Sequence, residues 1–140
     1  MASKYFNDVN QAVEVFVETF RRAAAQPEVA ATVADLNQLV YFDYTQDDPA
    51  ASFHMDTRGG ANIVEAGAPA DRPDVTMINS LDTAHKSWSN KLNPVVAMAT
   101  GQIKAKGSAT GLLKLAPLLK HIGPIYEQVL EEKGLGAIKL

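Results

Sequence analysis

Apolar residues recur at helical spacing in the first part of the chain. They lie three, four, seven, eight and eleven positions after the first of them, and at about 100° per residue they share one face of a helix. The residues are Val9, Ala12, Val13, Phe16, Val17 and Phe20. The pattern predicts an amphipathic helix over residues 6–25, which Asn7 or Asp8 can cap. Pro27 ends this helix and fits the first turn of a second one that runs to about Leu36.

Beyond the second helix the hydrophobic period changes to two, which is the spacing of β-strands. Leu39–Thr45 is rich in aromatic and β-branched residues, and the alternation continues in Ala51–Asp56 and Asn62–Glu65. Turns at residues 46–49 and 58–60 separate the three segments. We therefore predict that they form an antiparallel meander.

The remainder of the chain adds two strands and returns to helices. The predicted elements are a strand at Asp74–Asn79, a helix from the N-cap Ser80 to Lys91, a short helix from Asn93-Pro94 to Gly101, a strand at Ile103–Lys106, and a helical region over 109–133 with breaks near Pro117 and at Gly123-Pro124. Strands cluster and helices flank them, which is typical of the α+β class. We expect a single domain over residues 1–140, with one five-stranded sheet and helices covering one of its faces.

The C-terminal helical region contains more apolar residues than a surface helix needs. If Leu112–Ile122 is helical throughout, its apolar positions span an arc of about 220°. Such a helix faces the sheet on one side, and a partner subunit, a membrane surface or an apolar ligand on the other. Ordinary core packing is a further alternative that the pattern leaves open. Kinks at Pro117 and at Gly123-Pro124 would prevent close packing of the helices on the sheet and leave an apolar cavity.

Composition places the chain among ordinary globular proteins. Its 140 residues are 46% hydrophobic and 21% charged, and 13 basic against 16 acidic side chains give a net charge of −3. Nucleic-acid binding and steady attachment to anionic membranes normally need a basic excess, so neither is expected. The absence of cysteine excludes disulfides, thiolate metal sites and cysteine nucleophiles. Without an apolar leader or an apolar run of about 18 residues, the expected location is cytoplasmic.

Residues suited to catalysis or metal binding are sparse. The three histidines, His54, His85 and His121, have none of the spacings that zinc sites use. A Gly-x-Ser-x-Gly elbow and a Gly-Lys-[Ser/Thr] phosphate loop are both missing from the sequence. His54 is expected on a solvent face, His85 partly buried with a backbone partner, and His121 at a helix C-terminus. We expect no metal, no cofactor and no catalytic activity.

One segment has a pattern that is suited to anion binding. The backbone N–H groups of Gly107, Ser108 and Gly111 lie at the predicted start of a helix, where anions are favoured. Lys104 and Lys106 on the preceding strand are candidate contacts for a phosphate headgroup. Lysines on an edge strand also protect it from pairing with other strands, and the sequence leaves both interpretations open.

Four sequence blocks together resemble the sterol carrier protein type-2 family. They are Pro73-Asp-Val-Thr-Met77, Lys91-Leu-Asn-Pro94, Gly101-Gln-Ile-Lys-Ala-Lys-Gly107 and Gly111-Leu-Leu-Lys-Leu115. The resemblance implies a five-stranded, mostly antiparallel sheet with helices on one face and an apolar tunnel between them. It also implies non-enzymatic binding and transfer of fatty acids, fatty acyl-CoA, phospholipids or sterols.

A tunnel of this kind would be lined by apolar side chains of the sheet and the later helices. The candidates are Phe42, Phe53, Met55, Met77, Trp88, Met98, Ile103, Leu112, Leu115, Leu119, Ile122 and Ile125. The expected partners are a lipid ligand and, transiently, a membrane, with the chain acting as a monomer or homodimer. The alternative hypothesis is an interaction module that dimerises through its apolar C-terminal helices and binds no ligand.

Overall fold

The structure is a computed structural model that describes residues 3–46 and 49–140. Over these residues it contains six α-helices and five β-strands, in the predicted order. The helices are α1 (Val9–Ala25), α2 (Pro27–Leu36), α3 (Leu81–Trp88), α4 (Pro94–Ala99), α5 (Ala109–Leu119) and α6 (Ile122–Glu132). The strands are β1 (Leu39–Tyr44), β2 (Ala51–Asp56), β3 (Ile63–Ala66), β4 (Val75–Ile78) and β5 (Lys104–Gly107). Asp47 and Asp48, in the predicted turn after β1, lie outside the described residues.

The five strands form one mixed sheet in the order β3-β2-β1-β4-β5. The predicted meander is confirmed, because β2 pairs antiparallel with both β1 and β3. β4 runs parallel to β1, and β5 is antiparallel to β4. This register places Phe42 of β1 beside Phe53 of β2 on one side and Met77 of β4 on the other.

The two faces of the sheet differ in burial as strand alternation requires. Phe42, Phe53 and Met77 are buried beneath the helices. Tyr41 and His54, which pair with each other, belong to the opposite, open face and are half-buried. The helices therefore cover one face, as the pattern predicts.

Aromatic rings join the first helix to the sheet. The rings of Phe42 and Phe53 stack with their centroids 4.4 Å apart, and Phe20 of α1 lies 5.4 Å from Phe53 and 5.2 Å from Trp88. Burying one such side chain is worth about 1.5–3 kcal/mol, and each ring pair adds about 0.5–1.5 kcal/mol. These contacts fix α1 and the C-terminal end of α3 on the same core.

The C-terminal helical region breaks at a different point from the two that were predicted. α5 passes through Pro117 and ends at Leu119, and α6 begins at Ile122. Gly123 and Pro124 belong to the first turn of α6, where backbone N–H groups have no intrahelical partner, so a proline costs little there. The prediction of breaks at Pro117 and Gly123-Pro124 is therefore wrong in position, although two helices are present.

Candidate functional site

An apolar cavity of about 570 Å³ lies between α5 and the region around α3, α4 and their connecting loop. Its volume is within the range of small-molecule sites, about 300–1,000 Å³. Its lining residues are Met77, Ser87, Trp88, Asn90, Lys91, Leu92, Asn93, Met98, Leu112, Leu113, Leu115, Ala116, Leu119 and Lys120. The exposed members of this set, including Lys91, Leu113 and Lys120, mark its opening to solvent.

Half of the twelve predicted lining residues line this cavity: Met77, Trp88, Met98, Leu112, Leu115 and Leu119. A small inner void adjoins it, since Met77, Ser87, Trp88 and Leu119 border both spaces. Phe42 and Ile103, also predicted, line this inner void.

The other four predicted lining residues belong to the packed core. Phe53, Met55, Ile122 and Ile125 are buried and border neither the cavity nor the inner void. Phe53, for example, packs on aromatic rings from α1 and β1. Their apolar positions in predicted strands and helices made them candidates, but a hydrophobic pattern does not distinguish a core position from a cavity wall.

Sequence reasoning also missed several residues at the opening. On α5, Leu113, Ala116 and Lys120 follow one another at helical spacing beside the predicted Leu112, Leu115 and Leu119. That spacing is a signal that would have identified them. The polar residues of the α3–α4 loop, Asn90, Lys91 and Asn93, follow no periodic pattern, so this signal could not identify them.

Gly111 fixes the start of α5. Ser108 caps the helix by accepting a hydrogen bond from the Gly111 N–H at 3.0 Å. The Gly111 carbonyl accepts one from Gln38 Nε2 at 2.9 Å. A Cβ atom at position 111 would lie 2.3 Å from Gln38 Oε1 and 2.8 Å from Val75 Cγ2, so only glycine allows this approach. The Gly111 N–H that was considered for anion binding is therefore already used as a helix cap.

A second glycine supports the opposite wall of the cavity. Asn90 has a left-handed backbone, with φ of 59°, and turns the chain out of α3. Its side chain lies against Gly123 at the start of α6, where an added Cβ would be 2.2 Å from Asn90 Nδ2. The Lys91 N–H donates to the Lys86 carbonyl at 2.9 Å. The first contact holds the α3–α4 loop against α6, and the second ties it back to α3.

Two buried polar atoms at the inner wall have no hydrogen-bond partner among the described residues. They are Trp88 Nε1 and Ser87 Oγ, and both residues border the cavity and the inner void. A buried polar group without a partner costs about 1–3 kcal/mol. The wall of the apolar cavity thus contains two polar atoms that can form a hydrogen bond with a ligand.

The charged residues that line the cavity are both basic. They are Lys91 and Lys120, and neither appears in an ion pair within residues 3–46 and 49–140. Lys104 and Lys106, predicted as headgroup contacts, do not line it. Their register neighbours are Ile78 and Thr76, on the open face, whereas Ala105 pairs with Met77 of the cavity.

The buried histidine is occupied by structural hydrogen bonds. His85 Nε2 lies 2.8 Å from the Ile138 carbonyl, and Nδ1 lies 2.6 Å from the Tyr126 hydroxyl. Burial lowers the pKa of His85, against weaker opposing effects of the Ile138 carbonyl and the charge of Asp82. Burial also raises the pKa of the Tyr126 hydroxyl well above its usual value. His85 borders neither the cavity nor the inner void.

The other two histidines lie at the surface of the chain. His54 is half-buried, and its Nδ1 lies 2.9 Å from the Gly67 carbonyl. His121 is exposed at the junction between α5 and α6, where it is the N-cap residue of α6. Among the residues that the structure describes, no three His, Asp or Glu side chains lie close enough to hold a metal ion. In the same part of the chain, no helix is long and apolar enough to cross a bilayer.

Most of this chain is similar to proteins of known family and fold. The model of the SCP-2 sterol transfer family matches residues 17–120. Hydroxysteroid dehydrogenase-like protein 2 of Rattus norvegicus is 30% identical over 105 residues, which are 75% of this chain and 20% of that protein. The chain therefore spans about a fifth of the length of this relative.

Two solved structures share the fold. The sterol carrier protein domain 2 of Helicoverpa armigera matches with a TM-score of 0.69 and 19% identity, covering 87% of this chain and 96% of that one. Sterol carrier protein 2 from Yarrowia lipolytica, in its apo form, matches with a TM-score of 0.63 and 18% identity, covering 86% and 98%. At these identities the likeness is one of fold.

Proposed function

This chain belongs to the SCP-2 sterol transfer family, and from that premise we propose that it binds a lipid in the cavity beside α5 and transfers it chemically unchanged. The candidate ligands are fatty acids, fatty acyl-CoA, phospholipids and sterol-like molecules. The observation that carries the proposal is the cavity of about 570 Å³, whose inner wall is made of apolar side chains such as Met77, Leu115 and Leu119.

In this proposal, apolar transfer is the main source of binding free energy. A chain of ~16 carbons at ~0.8 kcal/mol per CH₂ yields on the order of 10 kcal/mol, before association costs of about 4–15 kcal/mol. Met77 and Met98 have flexible side chains that adapt to ligands of different shape. This composition favours a range of lipid chains over one rigid ligand.

We place the polar end of the ligand at the opening of the cavity. Lys91 and Lys120 supply positive charge there, and none of the acidic side chains that the structure describes lines the cavity. The proposal therefore assigns the headgroup to these lysines in place of Lys104 and Lys106, which lie on the other face of the sheet. An oxygen atom of the ligand that reached the inner wall would give Trp88 Nε1 the acceptor it lacks.

The proposal assigns this chain no catalytic step and no cofactor. The dehydrogenase-like name describes a relative of which only 20% of the length matches this chain. We therefore do not transfer a dehydrogenase activity from that relative to this chain. We prefer this proposal to the alternative of a ligand-free module that dimerises through the C-terminal helices. The apolar residues of α5 and α6 are largely packed inside this chain, as Leu118, Ile122 and Val129 illustrate.

The test is to identify what the purified protein binds. Native mass spectrometry followed by solvent extraction is expected to yield a stoichiometric lipid. Added fatty acid or phospholipid is expected to change Trp88 fluorescence, because this tryptophan, which is unique in the chain, borders the cavity. A protein that carries no lipid and whose Trp88 emission ignores fatty acid, phospholipid and sterol alike would contradict the proposal.

A pair of matched variants separates the cavity from the surface. Ala116→Phe places a ring in the cavity from an exposed helical position and is expected to reduce lipid binding at least tenfold, about 1.4 kcal/mol. Ala34→Phe makes the same change at an exposed position of α2 that does not line the cavity. Equal lipid binding by the two variants would show that the ligand does not occupy the cavity beside α5.

A further inference from the structure

Ser87 and Trp88 are adjacent residues at the C-terminal end of α3, and each has a buried polar atom that the chain leaves without a partner. Within the described residues, Ser87 Oγ and Trp88 Nε1 form no hydrogen bond. Trp88 is only 5% exposed, and the rings of Phe16, Phe20 and Phe42 lie edge to face with its indole. A buried indole N–H normally has a hydrogen-bond acceptor, and these apolar rings do not supply one.

The spaces that Ser87 and Trp88 both border are the cavity and the small inner void beside it. The inner void has a volume of about 10 Å³, which is close to the lower limit for one group of the size of a water molecule. Its other walls are mainly apolar, as Ile103 and Leu119 illustrate. The inner void therefore has room for a single oxygen-centred group, and Ser87 and Trp88 supply the unpartnered polar atoms of its wall.

The polar groups of the cavity lie at two depths. Lys91 and Lys120 are exposed at the opening, whereas Ser87 Oγ and Trp88 Nε1 are buried at the inner wall. A lipid with one polar group, such as an unsubstituted fatty acid or a sterol with a single hydroxyl, uses only one of these two sets. A lipid with an acid group at one end and a hydroxyl group on its chain uses both.

We propose that the preferred ligand of the cavity is a lipid whose acyl chain carries a hydroxyl group, and that Ser87 and Trp88 bind this hydroxyl. Its oxygen accepts a hydrogen bond from Trp88 Nε1, and its proton is donated to Ser87 Oγ, so both atoms gain the partner that they lack. The rest of the acyl chain lies against apolar side chains such as Met77 and Leu115. This inference rests on the proposed function, because it names the chemical class of the lipid that the cavity holds.

This preference is the reverse of what an apolar cavity alone would produce. A hydroxyl group that enters an apolar space without a partner weakens binding, because it gives up its hydrogen bonds to water. A purely apolar cavity would therefore bind palmitic acid more tightly than any hydroxypalmitic acid. A site with a buried donor and acceptor in place prefers the hydroxylated ligand, because the unsubstituted one leaves both buried atoms unpaired.

The experiment measures the affinity of the full chain for palmitic acid and for a series of monohydroxypalmitic acids with the hydroxyl at different carbons. Isothermal titration calorimetry supplies the affinities. We expect at least one hydroxy acid to bind about tenfold more tightly than palmitic acid. The same hydroxy acid should shift the Trp88 emission to longer wavelength than palmitic acid does, because the indole N–H gains a hydrogen-bond acceptor.

Ser87→Ala and Ser89→Ala form a matched pair of variants. Ser87→Ala removes the hydroxyl at the inner wall and is expected to lower the ratio of hydroxy acid affinity to palmitic acid affinity about fivefold or more. It should not destabilise the protein, since this hydroxyl has no hydrogen bond within the described chain to lose. Ser89→Ala alters a buried serine that borders neither the cavity nor the inner void, and it should keep the ratio of the unaltered protein.

The outcomes separate this inference from the proposed function. If neither palmitic acid nor any hydroxypalmitic acid binds, both the proposed function and the inference are overturned. Palmitic acid that binds as tightly as every hydroxy acid would leave the proposed function intact and overturn the inference. A preference for a hydroxy acid that Ser87→Ala retains in full would also overturn it, because the hydroxyl group would then be recognised at another place in the protein.

Discussion

The Tyr126 hydroxyl lies 2.6 Å from Nδ1 of the buried His85. The other ring nitrogen, Nε2, lies 2.8 Å from the Ile138 carbonyl, which can only accept a hydrogen bond. Nε2 therefore carries the proton, and Nδ1 accepts from the tyrosine, so the geometry selects one tautomer of a neutral imidazole. Through this ring, α3 is bound both to α6 and to the 3₁₀ turn at Gly136–Ile138.

We expect this arrangement to make the protein less stable as the pH falls below neutral. Burial lowers the pKa of His85 from its ordinary value of 6.5. The ring is faced by Tyr5, Phe6 and Tyr126 and by the Ile138 carbonyl, and Asp82 on its own helix is the nearby carboxylate that favours protonation. Between the two pKa values only the unfolded chain binds the proton, so the free energy of unfolding decreases as the pH drops through about 6.5 and stops decreasing below the folded pKa.

Urea unfolding across a series of pH values measures this dependence. The replacement His85→Gln is expected to be destabilising at all pH values and to remove most of the decrease between neutral and mildly acidic pH. His121→Gln alters an exposed histidine and should keep the slope of the unaltered protein. A His85→Gln variant with an unchanged slope would show that another group is responsible.

Removing only the tyrosine hydroxyl tests the hydrogen bond itself. Tyr126→Phe keeps the buried ring and leaves Nδ1 of His85 without a donor, so the free energy of unfolding is expected to fall by about 1–3 kcal/mol. Tyr41→Phe removes the hydroxyl of a half-buried tyrosine on the open face and is expected to change stability by about 0.5 kcal/mol or less. Chemical denaturation measures the free energy of unfolding of both variants. An equal loss in the two would show that the contact between Tyr126 and His85 has no special role in stability.

Gly111 is expected to control both stability and ligand binding through the position of α5. In Gly111→Ala the new methyl group meets Gln38 Oε1 and Val75 Cγ2, so the start of the helix must shift, at a cost of about 1–3 kcal/mol. Because α5 is one wall of the cavity, lipid affinity should fall in the same variant. Gly136→Ala is the matched control, since its added Cβ lies 3.7 Å from Glu131 Cγ, an ordinary contact. Thermal unfolding measures the stability of both variants, and lipid titration measures their affinity. Equal stability and equal lipid affinity in the two variants would contradict this prediction.

The order of elements was predictable because each depends on local patterns. The alternation in β2 depends only on a few adjacent residues. The same is true of the helix cap at Asp8, whose side chain accepts a hydrogen bond from the Asn10 N–H at 2.9 Å. The helix break was misplaced because a proline removes one backbone hydrogen bond but need not end a helix, and α5 continues through Pro117 to Leu119.

The site was predictable only in part because a cavity is a property of several distant segments. Periodicity identified Met77 and Leu119 as inward-facing but treated Phe53 in the same way, although rings from α1 and β1 fill the space beside Phe53. Lys91 lies in a loop without periodicity, so its place at the opening depends on how α5 and α6 pack. The Tyr126 partner of His85 is 41 residues away along the chain. Contacts of that kind come from the assembled fold.

Replacing Leu118 or its neighbour Leu119 by phenylalanine is expected to affect different properties, because only Leu119 borders empty space. Leu119 adjoins both the cavity and the inner void, whereas Leu118 is fully buried and borders neither. Leu119→Phe can extend its ring into the cavity, so stability should stay within about 1 kcal/mol while lipid binding falls at least tenfold. Leu118→Phe must displace packed neighbours and is expected to cost about 1–3 kcal/mol.

Chemical denaturation and lipid extraction of both variants check this pair of predictions. Leu118→Phe is the control for any general effect of an added ring on α5, and lipid bound per folded molecule is the quantity to compare. If the space beside Leu119 is the lipid site, the more stable of the two variants carries less lipid. A Leu119→Phe protein that retains full lipid binding would move the ligand away from this cavity, whatever its stability.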